Sequence, residues 1–213
     1  MPTLGMDEHE IIVPQKIFYK TSYWVLLLLR NIDKLAAQQG NASTARWIEK
    51  TLRHLQYLPL LADVDPSIKF IHMMRRGQHV VPSLYFATQK NPEAWDGARS
   101  LKKCVFWWNR SVELSLKYLG APNHMHVSYA QVTEEPEKIA EVICGFLELE
   151  FETNIVDGFH KTAESLIKDS EEWKQKNRSS EIDASSKLSR LNKKQQAYVK
   201  NHIVDFPFER IRV

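Results

Sequence analysis

The chain has 213 residues, enough for one sizeable core, and its 43% hydrophobic and 26% charged content is that of an ordinary globular protein. A formal charge of +3, from 29 basic against 26 acidic residues, is too small to argue for nucleic acid as a partner. Two cysteines, Cys104 and Cys144, make no disulfide framework and fit a reducing compartment as small buried hydrophobes. The most apolar stretch, Tyr23 to Leu29, falls far short of the roughly 20 residues that a membrane helix needs. With no leader-like pattern at the start, a cytoplasmic protein without a transmembrane segment is expected.

Met1 to Gln15 is polar and aperiodic. Lys16 to Gln39 carries Leu and Ile at helical spacing, and Gly40-Asn41-Ala42-Ser43 supplies its stop. Ala45 to Thr51, with β-favouring Trp47 and Ile48, reads as a short strand edge. Arg53 to Leu61 returns to helical spacing through Leu55, Leu58 and Leu61, and Asp65-Pro66-Ser67 is a turn. Next comes an apolar run, Phe70 to Met74, expected as a buried strand that surfaces at Arg75 and Arg76. A helix is expected from Val80 to Ala87, with Pro82 in its first turn, broken by Asn91-Pro92-Glu93. Ser100 to Tyr118 is amphipathic at helical period, with Cys104, Trp107, Trp108 and Leu114 among its apolar positions. It ends at Gly120 to Asn123.

His126 to Ala130 is a short β-type run. Thr133 to Leu147 is a second strong helix, with acid and proline at its start, and Phe146 joins Phe70 and Ile71 among the expected core residues. Beyond Glu152 a charge-rich surface loop precedes a last helix, Lys193 to Asn201. Strands alternating with amphipathic helices predict an α/β fold with a mostly parallel sheet flanked by helices, as one domain spanning 1–213.

In such folds ligands gather beyond the carboxyl ends of strands. Arg75 and Arg76 stand at one such end, and the helix after them brings backbone N–H groups and the Ser83 hydroxyl. Guanidinium forks and a helix start together suit a phosphate or sulfate group; otherwise the two arginines are merely solvated.

Arg75-Arg76-Gly77-Gln78-His79-Val80-Val81-Pro82-Ser83 resembles the 3′-phosphate-binding segment of sulfotransferases, with an arginine after a strand and a serine eight places on. Trp47-Ile48-Glu49-Lys50-Thr51-Leu52, with Lys50 25 positions before Arg75, is similar to the family's "EKTP" or "KTH" strand end. Val127-Ser128-Tyr129-Ala130 resembles its "v-x-Y-E-d" strand. Pro136 to Leu149, ending Gly145-Phe146-Leu147-Glu148-Leu149, is similar to the helix that follows it. These four elements occur in family order across Arg46 to Glu152.

The resemblance implies a P-loop NTPase-like sulfotransferase fold and transfer of a sulfuryl group from 3′-phosphoadenosine 5′-phosphosulfate to a hydroxyl or amine. The acceptor would be a small molecule or a glycan, and transfer would need no metal. It implies Lys50 at the sulfuryl or bridging oxygens, Arg75 and Ser83 at the 3′-phosphate, and Tyr129 beside the adenosine. Glu49 and His54 flank Lys50 as candidates for the general base. Lys174 and Arg178 resemble the family's late basic loop; otherwise they belong to a solvated charge run.

The family's N-terminal P-R-S-G-T-T-type loop, which holds the 5′-phosphosulfate, has no counterpart here. An N-terminally incomplete and weakly active domain is therefore expected. Leu52 stands where a catalytic histidine or a proline is usual, Ala130 replaces a Glu, and Arg76 replaces an Asp or Asn. The alternative is a non-catalytic remnant or binding module that recognises a 3′-phosphorylated adenosine nucleotide. A P-loop kinase-like protein fits less well, because no Walker lysine is present. His72, His79, His124 and His126 lack cysteine partners or an i, i+4 pairing with an acid, so a metal is not expected.

Overall fold

The computed structural model of the chain describes Ile48 and residues 54–157 and 186–211. The helix expected over Lys16–Gln39, the strand around Lys50 and the charge-rich loop containing Lys174 and Arg178 lie outside the described residues. The chain divides into two compact units, Met1–Ile68 and Lys69–Val213.

In the first unit a 3₁₀ turn, His54–Tyr57, runs into helix α1, Leu58–Val64. Pro59 lies in the first turn of α1, where its missing N–H costs nothing. The Asp65 carboxylate then accepts from the Ser67 N–H at 2.8 Å and from its hydroxyl at 2.6 Å, which makes the expected turn.

The second unit is α/β: helix-rich, with a small parallel sheet. Strand β1, Phe70–Met74, pairs with β2, His124–Ser128, with Phe70 opposite His124 and Met74 opposite Ser128. Between them in sequence run helix α2, Gly77–Lys90, and helix α3, Leu101–Leu116. The Ser100 hydroxyl caps α3 by accepting from the Lys103 N–H. After β2 come α4, Tyr129–Glu134, and α5, Pro136–Leu147; the single helix expected over this stretch is split where Pro136 restarts it. A short α6, Asn154–Asp157, follows, and α7, Lys193–His202, is closed by a capping box between Asn192 and Gln195.

A strand's period of two assigns the residues to faces. Met74, His72, His124, His126 and Ser128 face one way, and Met74 joins a core built from Val81 of α2, Cys104, Trp108 and Val112 of α3, and Val199 and Phe206 near the C-terminus. On the other face Met125 and Val127 pack against Ile139 of α5, with Val142, Ile143 and Phe146 around them. Both cysteines are buried, as expected.

The apolar run of β1 departs from expectation. Only Met74 is core; Ile71 and Met73 are 38% and 49% exposed, and Phe70 is half-buried against the His124 ring. The cause is the alternation itself: Ile71 and Met73 share the Met125–Val127 face, and α5 covers that face over β2 while leaving its β1 side open. Phe146 is likewise half-buried. Lys69 lies over its ring and binds both the Phe146 carbonyl, at 2.8 Å, and the Glu148 carboxylate, at 2.7 Å. The ammonium thus ties up the carbonyl end of α5, where a cation is favoured.

Candidate functional site

Met74 and Ser128 are register partners, so the next residues, Arg75 and Tyr129, emerge side by side at the carboxyl end of the strand pair. The Arg75 guanidinium lies over the Tyr129 ring, 4.6 Å from its centroid. That is cation–π distance, and it holds a planar cation at the mouth between the strands. Arg76 turns the other way, onto the Phe208 ring at 5.6 Å. Its extended backbone, φ −58° and ψ 134°, ends the strand excursion and opens α2 with no side-chain cap.

Helix α2 starts at Gly77, earlier than the sequence suggests. A Cβ there would come within 2.4 Å of Trp108 Nε1 and 2.7 Å of its Cε2, so only glycine lets α2 begin against α3. The earlier start moves Pro82 out of the first turn and into the body of the helix. Proline lacks the N–H that would bond the Gln78 carbonyl; the Ser186 hydroxyl donates to that carbonyl instead, at 3.4 Å. Ser83, half-buried, consequently sits in the second turn of α2, about 9 Å along the axis from Gly77 at the usual rise.

His79 is in the first turn. Burial first, then the charges of Arg75 and Arg76, lower its pKa, so its ring is neutral beside two guanidiniums. Arg75 and Arg76 supply the positive charge near the α2 start, beside the neutral His79 ring, and Tyr129 adds an aromatic face. This combination suits an anionic group beside a flat ring. Among the described residues no group of three His, Cys, Asp or Glu side chains is arranged to hold a metal ion.

Of the residues singled out from the sequence, the structure brings Arg75 and Tyr129 together and sets Ser83 on the helix that Arg75 and Arg76 lead into. His54 opens the 3₁₀ turn of the other unit. Glu49, Lys50, Lys174 and Arg178 lie outside the described residues. Two participants went unrecognised: Phe208, which holds Arg76, and His79 as an electrostatic neighbour of both arginines. For Phe208 no sequence signal exists, since it arrives from the far end of the chain. For His79 the signal was its place four residues after Arg75.

The model of the sulfotransferase family matches residues 24–153, more than half of the chain. No curated protein and no solved structure matches it.

Proposed function

The chain belongs to the sulfotransferase family, and we propose that it moves a sulfuryl group from 3′-phosphoadenosine 5′-phosphosulfate to a hydroxyl or amine of a small-molecule or glycan acceptor. In this reading Arg75 and Ser83 bind the 3′-phosphate and Tyr129 flanks the adenosine. Lys50 neutralises charge on the sulfuryl and bridging oxygens, Glu49 or His54 takes the acceptor proton, and Lys174 and Arg178 close over the 3′-phosphate. A P-loop NTPase-like arrangement of the sheet belongs to the same proposal.

Sulfuryl transfer asks a protein for in-line positioning and charge neutralisation more than for covalent chemistry. An acceptor lone pair forms the new bond to sulfur, the bond from sulfur to the bridging phosphate oxygen breaks, and adenosine 3′,5′-bisphosphate departs. The acceptor proton goes to the base. The observation that carries the reading is the Arg75 guanidinium held on the Tyr129 ring at the carboxyl ends of β1 and β2. A planar cation suited to phosphate and an aromatic ring suited to a nucleoside, brought together from adjacent strand ends, support the reading.

The test is calorimetric titration with adenosine 3′,5′-bisphosphate and adenosine 5′-monophosphate, followed by transfer of labelled sulfate to a panel of hydroxyl and amine acceptors. Preference for the bisphosphate together with transfer supports the enzyme. Preference without transfer makes the chain a nucleotide-binding module, and equal affinities sink the 3′-phosphate assignment.

A further inference from the structure

We propose that the stacked imidazoles of His72, His124 and His126 form an acid-sensitive release for the strand pair: neutral, they hold β1 and β2 together, and protonation opens them.

The three rings share the α3-facing side of the sheet and are nearly sealed from water, at 6%, 7% and 5% exposure. His72 stacks on His126 with centroids 4.3 Å apart, and its Nε2 meets His124 Nδ1 at 2.9 Å. His72 Nδ1 meets the Ser115 hydroxyl at 3.0 Å, and His126 Nε2–H donates to the Ser115 carbonyl at 3.0 Å. Aromatic rings close the ends: His124 lies between Phe70 of β1 and Tyr118 beyond α3, and His126 stacks on Phe206 of the C-terminal segment. Within this set the titratable side chains are the three histidines and the Tyr118 phenol. The charges acting on His72 are those of His126 and His124, and the one acting on His124 is that of His126.

The hydrogen bonding admits one proton between His72 Nε2 and His124 Nδ1. A first extra proton keeps that bond but buries a charge against the His126 ring. A second sets N–H against N–H across 2.9 Å. Burial, then the neighbouring histidines, push His72 down to about 3 and His124 down to about 4; burial also lowers His126 against its bond to Ser115. Unfolded histidine titrates near 6.5. Because the folded values are depressed, the unfolded chain binds more protons below pH 6.5. The stabilisation is therefore complete above that pH and is lost as pH falls toward 4.

The strand ends released are those that carry Arg75 and Tyr129, each three residues beyond a ring of the stack. Loss of the nucleotide on acidification rests on the proposed function; opening of the strands does not.

The experiment is an imidazole titration of the full chain, labelled with ¹⁵N-histidine, by long-range ¹H–¹⁵N spectra from pH 8 to 4.5. Denaturant unfolding of the parent and of His126→Phe at pH 7.5, 6.5 and 5.5 accompanies it. Three of the eight histidines are expected to keep neutral spectra for as long as the chain stays folded. The unfolding constant is expected to rise by up to about tenfold per pH unit for each ring, with His126→Phe removing one ring's share. Rings that titrate near 6.5 in a folded chain overturn the proposal, as does an identical pH slope in His126→Phe. If that variant does not fold, the parent's spectra decide alone.

Discussion

The Arg75 guanidinium rests on the Tyr129 ring at 4.6 Å, which joins the ends of two strands whose residues lie 54 positions apart in the chain. Arg75→Ala removes the fork, and preference for adenosine 3′,5′-bisphosphate over the 5′-monophosphate should fall by about 1.5–3 kcal/mol in calorimetry. Tyr129→Phe keeps the aromatic face and should leave that preference in place. Tyr129→Ala removes the ring from beneath the guanidinium and should weaken bisphosphate binding by about 0.5–2 kcal/mol. If Tyr129→Ala binds as tightly as the parent, the ring does not orient the arginine for its ligand.

His79 should make bisphosphate binding at the proposed site pH-dependent. In the free protein burial and the two arginines lower its pKa. A bound phosphate dianion offsets the arginine charge and raises it, so binding takes up a proton. Bisphosphate affinity should therefore increase as pH falls through the ordinary histidine range near 6.5. His79→Gln should flatten this dependence while leaving affinity at pH 8 nearly unchanged; a slope that survives the substitution assigns it to another group.

Gly77→Ala tests the seam between α2 and α3. The new methyl meets the Trp108 ring, which is buried and donates from Nε1 to the Val204 carbonyl at 2.9 Å, so the ring cannot swing away freely. Destabilisation of about 1–3 kcal/mol is expected from overpacking. Denaturant midpoints read it, and an unchanged midpoint would mean that α2 starts elsewhere.

Burial ranks two residues of α5 against their size. Ile139 is 1% exposed between Met125 and Val127, whereas Phe146 is half-buried under Lys69. Ile139→Ala should cost about 2–5 kcal/mol, and Phe146→Ala roughly 1.5–2.5, below the range for a fully buried phenylalanine. The reverse order would put Phe146 back in the core, where its sequence pattern suggests it belongs.

The helices were legible because their signals are local. The amphipathic run from Ser100, acid and proline at the start of the run to Leu147, and Asn91-Pro92-Glu93 after a helix each act within a turn or two. Arg75 was legible for the same reason, as the charge that ends an apolar strand. What the sequence hid depends on which neighbour covers which face. Ile71 and Met73 read as core because alternation does not say that α5 lies over β2 and not β1. Pro82 read as a first-turn proline because nothing local reveals that Ser186 bonds the Gln78 carbonyl from 108 positions away. The histidines looked unconnected because His72 and His124 are 52 positions apart until the strands pair.

The C-terminal segment sets a schedule for the chain during its synthesis. Val199 and Phe206 complete the core that α2 and α3 begin, and Trp108 and Asn109 bind backbone at Val204 and His202. Trp108 and Val204 are 96 residues apart, so a ribosome adding about 5–20 residues per second leaves the inner face of α3 waiting for roughly 5–20 s. Over that interval the nascent α2–α3 pair presents apolar surface without its cover, which is the kind of surface that chaperones hold. A variant that weakens the Trp108–Val204 clasp would thus lower the yield of folded chain in cells by more than its equilibrium stability suggests.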